Sequence, residues 1–394
     1  MAVAKIHTWK AFEYHWRLWT FFGLKPPPRN SVWFKPYVAY AIVLNISVTF
    51  LFPCTLIINL ILAKNMNEVC ENLYNTITDV ICNVKFLNMF LVRKKLLQIN
   101  QILKRLDMRA QTREEINELQ KGVNSARNCF KIVGRLFCVA LITSQLVAYL
   151  SPERILMYPA WFPWDWRASK RNFLYAHSYQ LYGLILQTAQ NLGSDTYPQA
   201  YLVVLIGHIK ALSLRIKALG SEVTSFSDAS DAELKEKIEN HLYRELIDCI
   251  IDHETINDLF RIVQQGISST CLAQFFCTGL AQCTIGVYTF YVGLDYSKLP
   301  NLVAYFGAVT AEIFILCYYG DLFCQANEQL INSIYSCNWV DREKKFKQAH
   351  RFLLQRSQKI NTVMAGNLIP VSLSTFVTVM KTAYSAFTVL NKFN

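Results

Sequence analysis

Residues 376–394 read "FVTVMKTAYSAFTVLNKFN", a stretch apolar enough for a bilayer yet threaded with Thr378, Lys381, Thr382, Tyr384 and Ser385. Helical spacing sorts the mixture. Thr378, Thr382, Ser385, Val389 and Phe393 recur at steps of three or four and so share one helix face. From Pro370 to Phe393 such a helix covers about 35 Å at roughly 1.5 Å per residue, enough to cross a hydrocarbon core of about 30 Å. Its hydroxyl side must face something. Two answers fit these residues: a water-filled axis, or neighbouring helices for which the hydroxyls serve as packing contacts.

The remainder of the chain extends the membrane pattern. Of the 394 residues 53% are apolar and 17% charged, below the roughly 25% charge of soluble chains. Seven stretches are long and apolar enough to span: 37–62, 69–92, 130–150, 173–209, 268–294, 300–324 and 370–390. Glu71, Asp79 and Lys85 interrupt the second. The expected fold is an all-α membrane protein of seven transmembrane helices.

Lys and Arg orient it. Of the 40 basic residues, 30 fall in segments 1–36, 93–131, 207–262 and 338–361, and seven in the alternate connections. By the positive-inside rule the N-terminus is cytoplasmic and the C-terminus extracellular, opposite to a G-protein-coupled receptor. Because the basic residues come in blocks between apolar runs, the net charge of +12 points to a membrane rather than to nucleic acid.

Two inner segments continue as helices. "GHIKALSLRIKAL" (207–219) extends the fourth span, and Leu242, Leu246, Ile250, Phe260 and Val263 keep helical spacing beyond an acidic, Ser-rich turn. Residues 342–359 repeat the pattern with Phe346, Ala349 and Leu353. The expected organisation is therefore an interfacial N-terminal segment (1–36, with Trp9, Phe12, Trp16 and Trp19), spans one to four (37–206) and cytoplasmic helical extensions (207–267). Spans five and six (268–337), a cytoplasmic anchor helix (338–369) and a last span (370–394) follow.

Chemistry-bearing motifs are sparse. The twelve cysteines form no C-x-x-C pair, and several lie inside apolar runs as small hydrophobes. His177 and His208 read as satisfied polar residues, and no histidine pair at i,i+4 supports a metal site. No nucleophile motif or phosphate loop marks an enzyme, and no cofactor is expected. No internal repeat suggests a transporter.

"YPAWFPWDW" (158–166), "SDTYP" (194–198), "CYYGDLF" (317–323), "SCNWVD" (336–341) and "IPVSLSTFVTVMKTAYSAFTVL" (369–390), in this order on a seven-span frame, resemble the insect odorant receptors. The resemblance covers nearly the whole chain and is densest after Ala304. It implies an odorant-gated, non-selective cation channel of the plasma membrane of olfactory sensory neurons. In that family an odorant-binding subunit assembles with a shared co-receptor (Orco) as a heterotetramer around one pore. The chain lacks the co-receptor's greater length and its long insertion between spans four and five, and so resembles an odorant-tuned subunit.

The resemblance further implies that Thr378, Thr382 and Ser385 line the pore, with Val389 and Phe393 at an apolar gate. It implies a pocket for a small volatile odorant in the outer half of the bundle. Depth and face then nominate Tyr74, Thr78, Ile142, Leu146, Tyr149, Ser178, Leu181, Tyr182, Tyr305 and Val309, while Glu312 either pairs with another helix, meets a watery cavity, or borders the pocket or its coupling path. "YPAWFPWDW" is either a lid or an interfacial anchor. Rival readings are a gustatory-type homotetrameric channel and a metabotropic seven-span receptor. Against the latter stand the orientation and the missing Asp/Glu-Arg-Tyr, where "VGRLF" (133–137) places Arg135.

Overall fold

A computed structural model describes residues 6–151, 154–220, 232–291 and 298–392. A short 3-10 turn (Thr8–Phe12) leads into α1 (Glu13–Phe21). Next comes α2 (Phe34–Asn45), which runs through a π-helical stretch (Ile46–Leu51) into α3 (Phe52–Ile61). Four long helices follow: α4 (Met66–Asp107), α5 (Arg113–Leu150), α6 (Lys170–Ala218) and α7 (Ala232–Tyr291). Then come α8 (Leu299–Ser336), α9 (Lys344–Ser357), a two-stranded hairpin (β1 Met364–Ala365, β2 Ile369–Pro370) and α10 (Leu373–Lys392).

Among the described residues five helical segments are long and apolar enough to cross a membrane: α2–α3, α5, α6, α7 and α8. α4 and α10 are not among them. Glu71, Asp79 and Lys85 break the apolar run of α4, and hydroxyls with Lys381 dilute that of α10. All ten of these described helices belong to one bundle, with α4 packed along α7, α5 along α6, and α6 also against α8.

Local chemistry sets the helix starts. Thr112 accepts from the Glu115 N–H at 3.2 Å while the Glu115 carboxylate accepts from the Gln111 N–H at 3.2 Å, a reciprocal cap for α5. Ser169 likewise caps α6 through the Asn172 N–H at 3.1 Å.

The basic end of the bundle is packed and ion-paired. Arg215 of α6 bonds Glu115 of α5 at 2.7 Å and Asp252 of α7 at 2.5 Å, and Arg109 reaches the same Asp252 at 3.0 Å. Of the amphipathic α9, Phe346, His350 and Leu353 are buried, and His350 meets the Ile334 carbonyl at 2.7 Å. The N-terminal aromatics divide: Phe12 and Trp19 belong to the core, whereas Trp9 and Trp16 stay half-exposed. All twelve cysteines are free.

The hairpin reverses the chain between α9 and α10. Gly366 (φ 61°) and Asn367 (φ 57°) both take left-handed conformations, as a tight type I′ turn requires. Gln264 of α7 donates to the Met364 carbonyl at 2.6 Å, and the Gly366 N–H donates to the Ser268 carbonyl at 2.9 Å. α10 therefore starts from a point fixed on α7. Its first turn is capped by Ser372, which accepts from the Thr375 N–H at 3.3 Å, and by Asp321 of α8, which accepts from the Leu373 N–H at 3.2 Å.

Candidate functional site

A cavity of about 120 Å³ lies between α3, α4, α5, α6 and α8. That is the scale of the ~150 Å³ apolar cavity known to take up benzene. Phe52 and Leu56 of α3, Phe137, Ala140 and Leu141 of α5, and Leu184 of α6 make its apolar wall. Asn75, Thr78, Asp79 and Cys82 of α4 face them with Gln187, Thr188 and Asn191 of α6 and Tyr305, Ala308, Val309 and Glu312 of α8. Gly183 lets α3 approach α6, since a Cβ there would lie 2.1 Å from the Phe52 ring.

Tyr158 completes the lining from the connection before α6. That connection is pinned rather than loose. Gln180 donates to the Tyr158 carbonyl at 2.7 Å and accepts from the Met157 N–H at 2.9 Å, and the Trp161 N–H donates to the Thr55 carbonyl at 2.9 Å. Leu156, Ala160 and Phe162 are buried against Phe52, Leu56 and Ala176. The "YPAWFPWDW" stretch thus closes over the cavity and contributes a side chain to it. The sequence alone leaves lid and anchor open.

One end of the cavity borders a buried charge network. The Lys85 ammonium donates to Asp195 at 2.5 Å and to Gln274 at 2.7 Å, and Gln274 donates to Glu312 at 2.5 Å. Lys85 and Asp195 are almost fully buried, at 1% and 2% side-chain exposure. Four helices, α4, α6, α7 and α8, meet through these four side chains. Removing one partner of such a pair costs about 3–5 kcal/mol, because a charge stays buried alone. The interrupted apolar pattern of α4 is thereby explained: Lys85 is matched from α6, not from its own helix.

The nominated pocket residues separate by face. Thr78, Tyr305 and Val309 line the cavity. The Thr78 and Tyr305 hydroxyls hydrogen-bond each other, and buried Tyr74 packs edge-on against Tyr305 at 5.3 Å. Ile142, Leu146 and Tyr149 point away, exposed on the isolated chain at 56%, 48% and 79%. Ser178 and Tyr182 are exposed and Leu181 half-buried, and none of the three lines the cavity. In α5 and α6 the inward stripe lies elsewhere, on Phe137, Leu141, Ser144 and Ala148 and on Gly183, Leu184, Gln187 and Asn191. Membrane helices are apolar on both sides, so periodicity alone does not choose between the stripes. Sequence reading missed Tyr158, Asn75, Gln187 and Asn191; polar residues within an apolar run were the available signal.

α10 presents the other candidate surface. Phe376 packs edge-on against Phe314 of α8 at 5.5 Å, and Ala383 is buried. Thr378, Thr382 and Ser385 are exposed on the isolated chain, as is Val389 at 51%. Phe393 lies outside the described residues. Thr378 and Thr382 donate to the Ser374 and Thr378 carbonyls at 2.9 and 2.8 Å, so each hydroxyl proton is satisfied within the helix and its lone pairs stay outward. Gly320 of α8 permits the close approach at the start of α10, because a Cβ there would lie 2.1 Å from the Val371 carbonyl oxygen.

Helices long and apolar enough to span, with a small cavity in one half of the bundle, mark the class as a helical membrane protein. The family model for the 7tm Odorant receptor matches residues 65–384. Odorant receptor 2a of Drosophila melanogaster is 40% identical over 391 residues, covering 98% of this chain and 97% of that protein. Odorant receptor 59a of the same fly is 30% identical over 399 residues, covering 99% of each. The solved structure of the insect olfactory receptor OR5 from Machilis hrabei superposes with a TM-score of 0.83 at 19% identity, over 99% of this chain and 100% of that one. The same receptor in complex with eugenol gives 0.81 at 17% identity. The chain belongs to the insect odorant receptor family, a family of receptors rather than enzymes.

Proposed function

We propose that this chain is the odorant-binding subunit of an odorant-gated cation channel, assembled with the co-receptor (Orco) in a heterotetramer of the olfactory neuron's plasma membrane. Seven spans cross the bilayer with the N-terminus cytoplasmic, and the ion-paired basic end forms a cytoplasmic anchor. The odorant occupies the cavity between α3, α4, α5, α6 and α8. α10 lines the pore with Thr378, Thr382 and Ser385, and Val389 with Phe393 narrows it; a ring of apolar side chains stops ions by dewetting. Family membership and the eugenol complex of a structural neighbour support the ligand class.

The observation that carries the channel reading is the geometry of α10. It is tied to cavity-lining α8 through Phe376 and Asp321, yet leaves its hydroxyl face uncovered on the isolated chain. Odorant binding moves the gate only as far as affinity differs between closed and open arrangements.

The test is electrical. Expressed with the co-receptor and with G-protein signalling blocked, the chain should give fast odorant-evoked cation currents that vanish without the co-receptor. With Val389→Cys, a thiol reagent applied from outside should alter conductance or gating. Currents that need G-protein signalling favour the metabotropic account, and currents from the chain alone favour a homotetramer.

A further inference from the structure

A groove of about 1220 Å³ runs between the N-terminal 3-10 turn, α1 and the end of α4, at the basic end of the bundle and apart from the odorant cavity. One stripe of α4 forms its floor. Arg93, Leu97, Asn100 and Lys104 stand at i, i+4, i+7 and i+11, which puts them on one helix face. Asn100 and Lys104 line the groove itself. Arg93 and Leu97 line a narrow cleft that shares Trp16 and Lys25 with the groove and continues it toward the apolar part of α4. Trp9 and Trp16, both half-exposed, make the wall on the N-terminal side.

The acids of the groove are taken, whereas several of its cations are not. Glu13 accepts from Arg17 at 2.7 Å and from Arg127 at 2.8 Å. Asp107 accepts from the Thr8 N–H and hydroxyl at 2.9 and 2.8 Å. Among the described residues Lys25, Lys104 and, in the cleft, Arg93 make no ion pair. Two of these cations rest on aromatic faces: Lys25 lies 4.9 Å from the centre of the Trp16 ring and Arg93 3.9 Å from that of Phe90. Arg93 also marks a boundary. The apolar run of α4 ends at Val92, and Phe90 and Leu91 just before it are 44% and 80% exposed on the isolated chain. Along α4 the order is thus exposed apolar side chains, then aromatic faces, then unpaired cations. A phospholipid presents matching parts in the same order: acyl chain, interface, phosphate. A choline headgroup would bring a further cation, and Lys25 already covers the Trp16 face that would receive it.

We propose that this groove binds the headgroup of an anionic phospholipid of the cytoplasmic leaflet. Lys25 and Arg93 hold the phosphate beside Trp16. Lys104, about 16 Å from Arg93 along α4 at roughly 1.5 Å per residue, adds a longer-range attraction for a headgroup with more than one anionic group. Bound there, the lipid clips the N-terminal segment to α4. The proposal rests on the orientation given above, with the N-terminus cytoplasmic.

The test uses the full chain with its co-receptor in detergent micelles, titrated with dioctanoyl lipids while the melting temperature is followed. Phosphatidylserine and phosphatidylinositol bisphosphate should stabilise the complex, and phosphatidylcholine should not. Binding of the anionic lipids should weaken about fivefold in Lys25→Gln or Arg93→Gln and about twentyfold in the double variant, the scale of one basic side chain at an anionic surface for each. Lys94→Gln, at an exposed residue about 100° round α4 from Arg93, should change it by less than about twofold. Lys25→Arg, which keeps the cation and its aromatic contact, should retain binding. The co-receptor is the same in every sample, so these differences report on this chain. Equal stabilisation by anionic and zwitterionic lipid overturns the proposal, as does an equal loss in Lys94→Gln, which makes the attraction diffuse. Free inositol trisphosphate that binds as tightly as the lipid overturns it by making the groove a site for soluble anions. Binding gained only on removal of residues 2–5 overturns it too, making the chain's own start the occupant. Micelles have no leaflets, so binding is read whichever way the chain crosses. Protease access to an N-terminal tag from outside the cell counts against the orientation and the leaflet, and leaves the headgroup site standing.

Discussion

Along α6 every residue from Gly193 to Ile209 is buried, whereas in the half before it burial recurs only at Ala176, Gln180, Gly183, Gln187 and Gln190. Three of those five are glutamines, and each reaches a neighbour. Gln180 holds the Tyr158 connection, Gln187 donates to the Val48 carbonyl at 2.9 Å, and Gln190 donates to the Thr49 hydroxyl at 3.0 Å. The basic half is different: Tyr197, Tyr201 and Leu205 pack among α1, α4 and α7 with Phe12 and Trp19. One half is thus a one-sided wall around a cavity, held by directional polar contacts. The other is the central rod of a close-packed core. A wall of that kind can change its hydrogen bonds at modest cost, while a dense core resists deformation.

Breaking the packed half should have the largest effect. Arg215→Ala leaves Glu115, 2% exposed, without its cation, and should destabilise the chain by about 3 kcal/mol. Loss of surface expression together with a lowered melting temperature of the detergent-solubilised complex checks this. Next comes the seam between the halves and α10. Gly320→Ala sets a methyl group against the Val371 carbonyl, and overpacking against backbone costs about 1–3 kcal/mol. Expression should largely survive, while odorant-evoked current falls as the start of α10 shifts.

Acid should act on the basic half as well. His15 is fully buried, meets the Thr196 hydroxyl at 2.9 Å, and its pKa is pushed down by burial to about 3 from an ordinary 6.5. The neutral ring belongs to the fold and the charged ring to the unfolded chain. Stability is therefore complete above pH 6.5 and declines as pH falls from there toward 3, by at most about 1.4 kcal/mol per unit. Thermal melts between pH 7 and 5 should show this slope in the wild type and a shallower one in His15→Gln.

The smallest effects sharpen the cavity wall. Leu141→Ala, on the inward stripe of α5, should shift odorant half-maximal concentrations by about three- to tenfold through lost contact area. Tyr149→Ala, on the outward stripe, should change them by less than about twofold. A larger effect at Tyr149 than at Leu141 would place the ligand on the other side of α5.

How far the residues alone reach depends on the kind of constraint. Lengths of apolar runs locate helices, because hydrocarbon thickness fixes a minimum length; α5, α6 and α8 all contain their expected spans. Amphipathic spacing in 342–359 anticipates α9 (Lys344–Ser357) and its buried Phe346 and Leu353. Rotation about each helix axis is harder to read. Where a helix is apolar all round, as α5 is near Leu141, Ile142 and Leu146, no periodic contrast separates the cavity stripe from the outer one. Depth and face nominate Thr78 and Tyr305, which line the cavity, but the same reading nominates Tyr149, Ser178 and Tyr182, whose hydroxyls lie off the cavity. Asn75 and Gln187 carried the signal of a polar residue within an apolar run.

By itself the sequence determined a predominantly helical chain with apolar runs long enough to span a membrane, since burial cost and helix period act locally, while its motifs carried the resemblance to the odorant receptor family. Only the tertiary structure decided that Lys85 pairs with Asp195 and that Tyr158 closes the cavity. Those facts depend on which helices become neighbours and how each is turned, and no single segment carries that information.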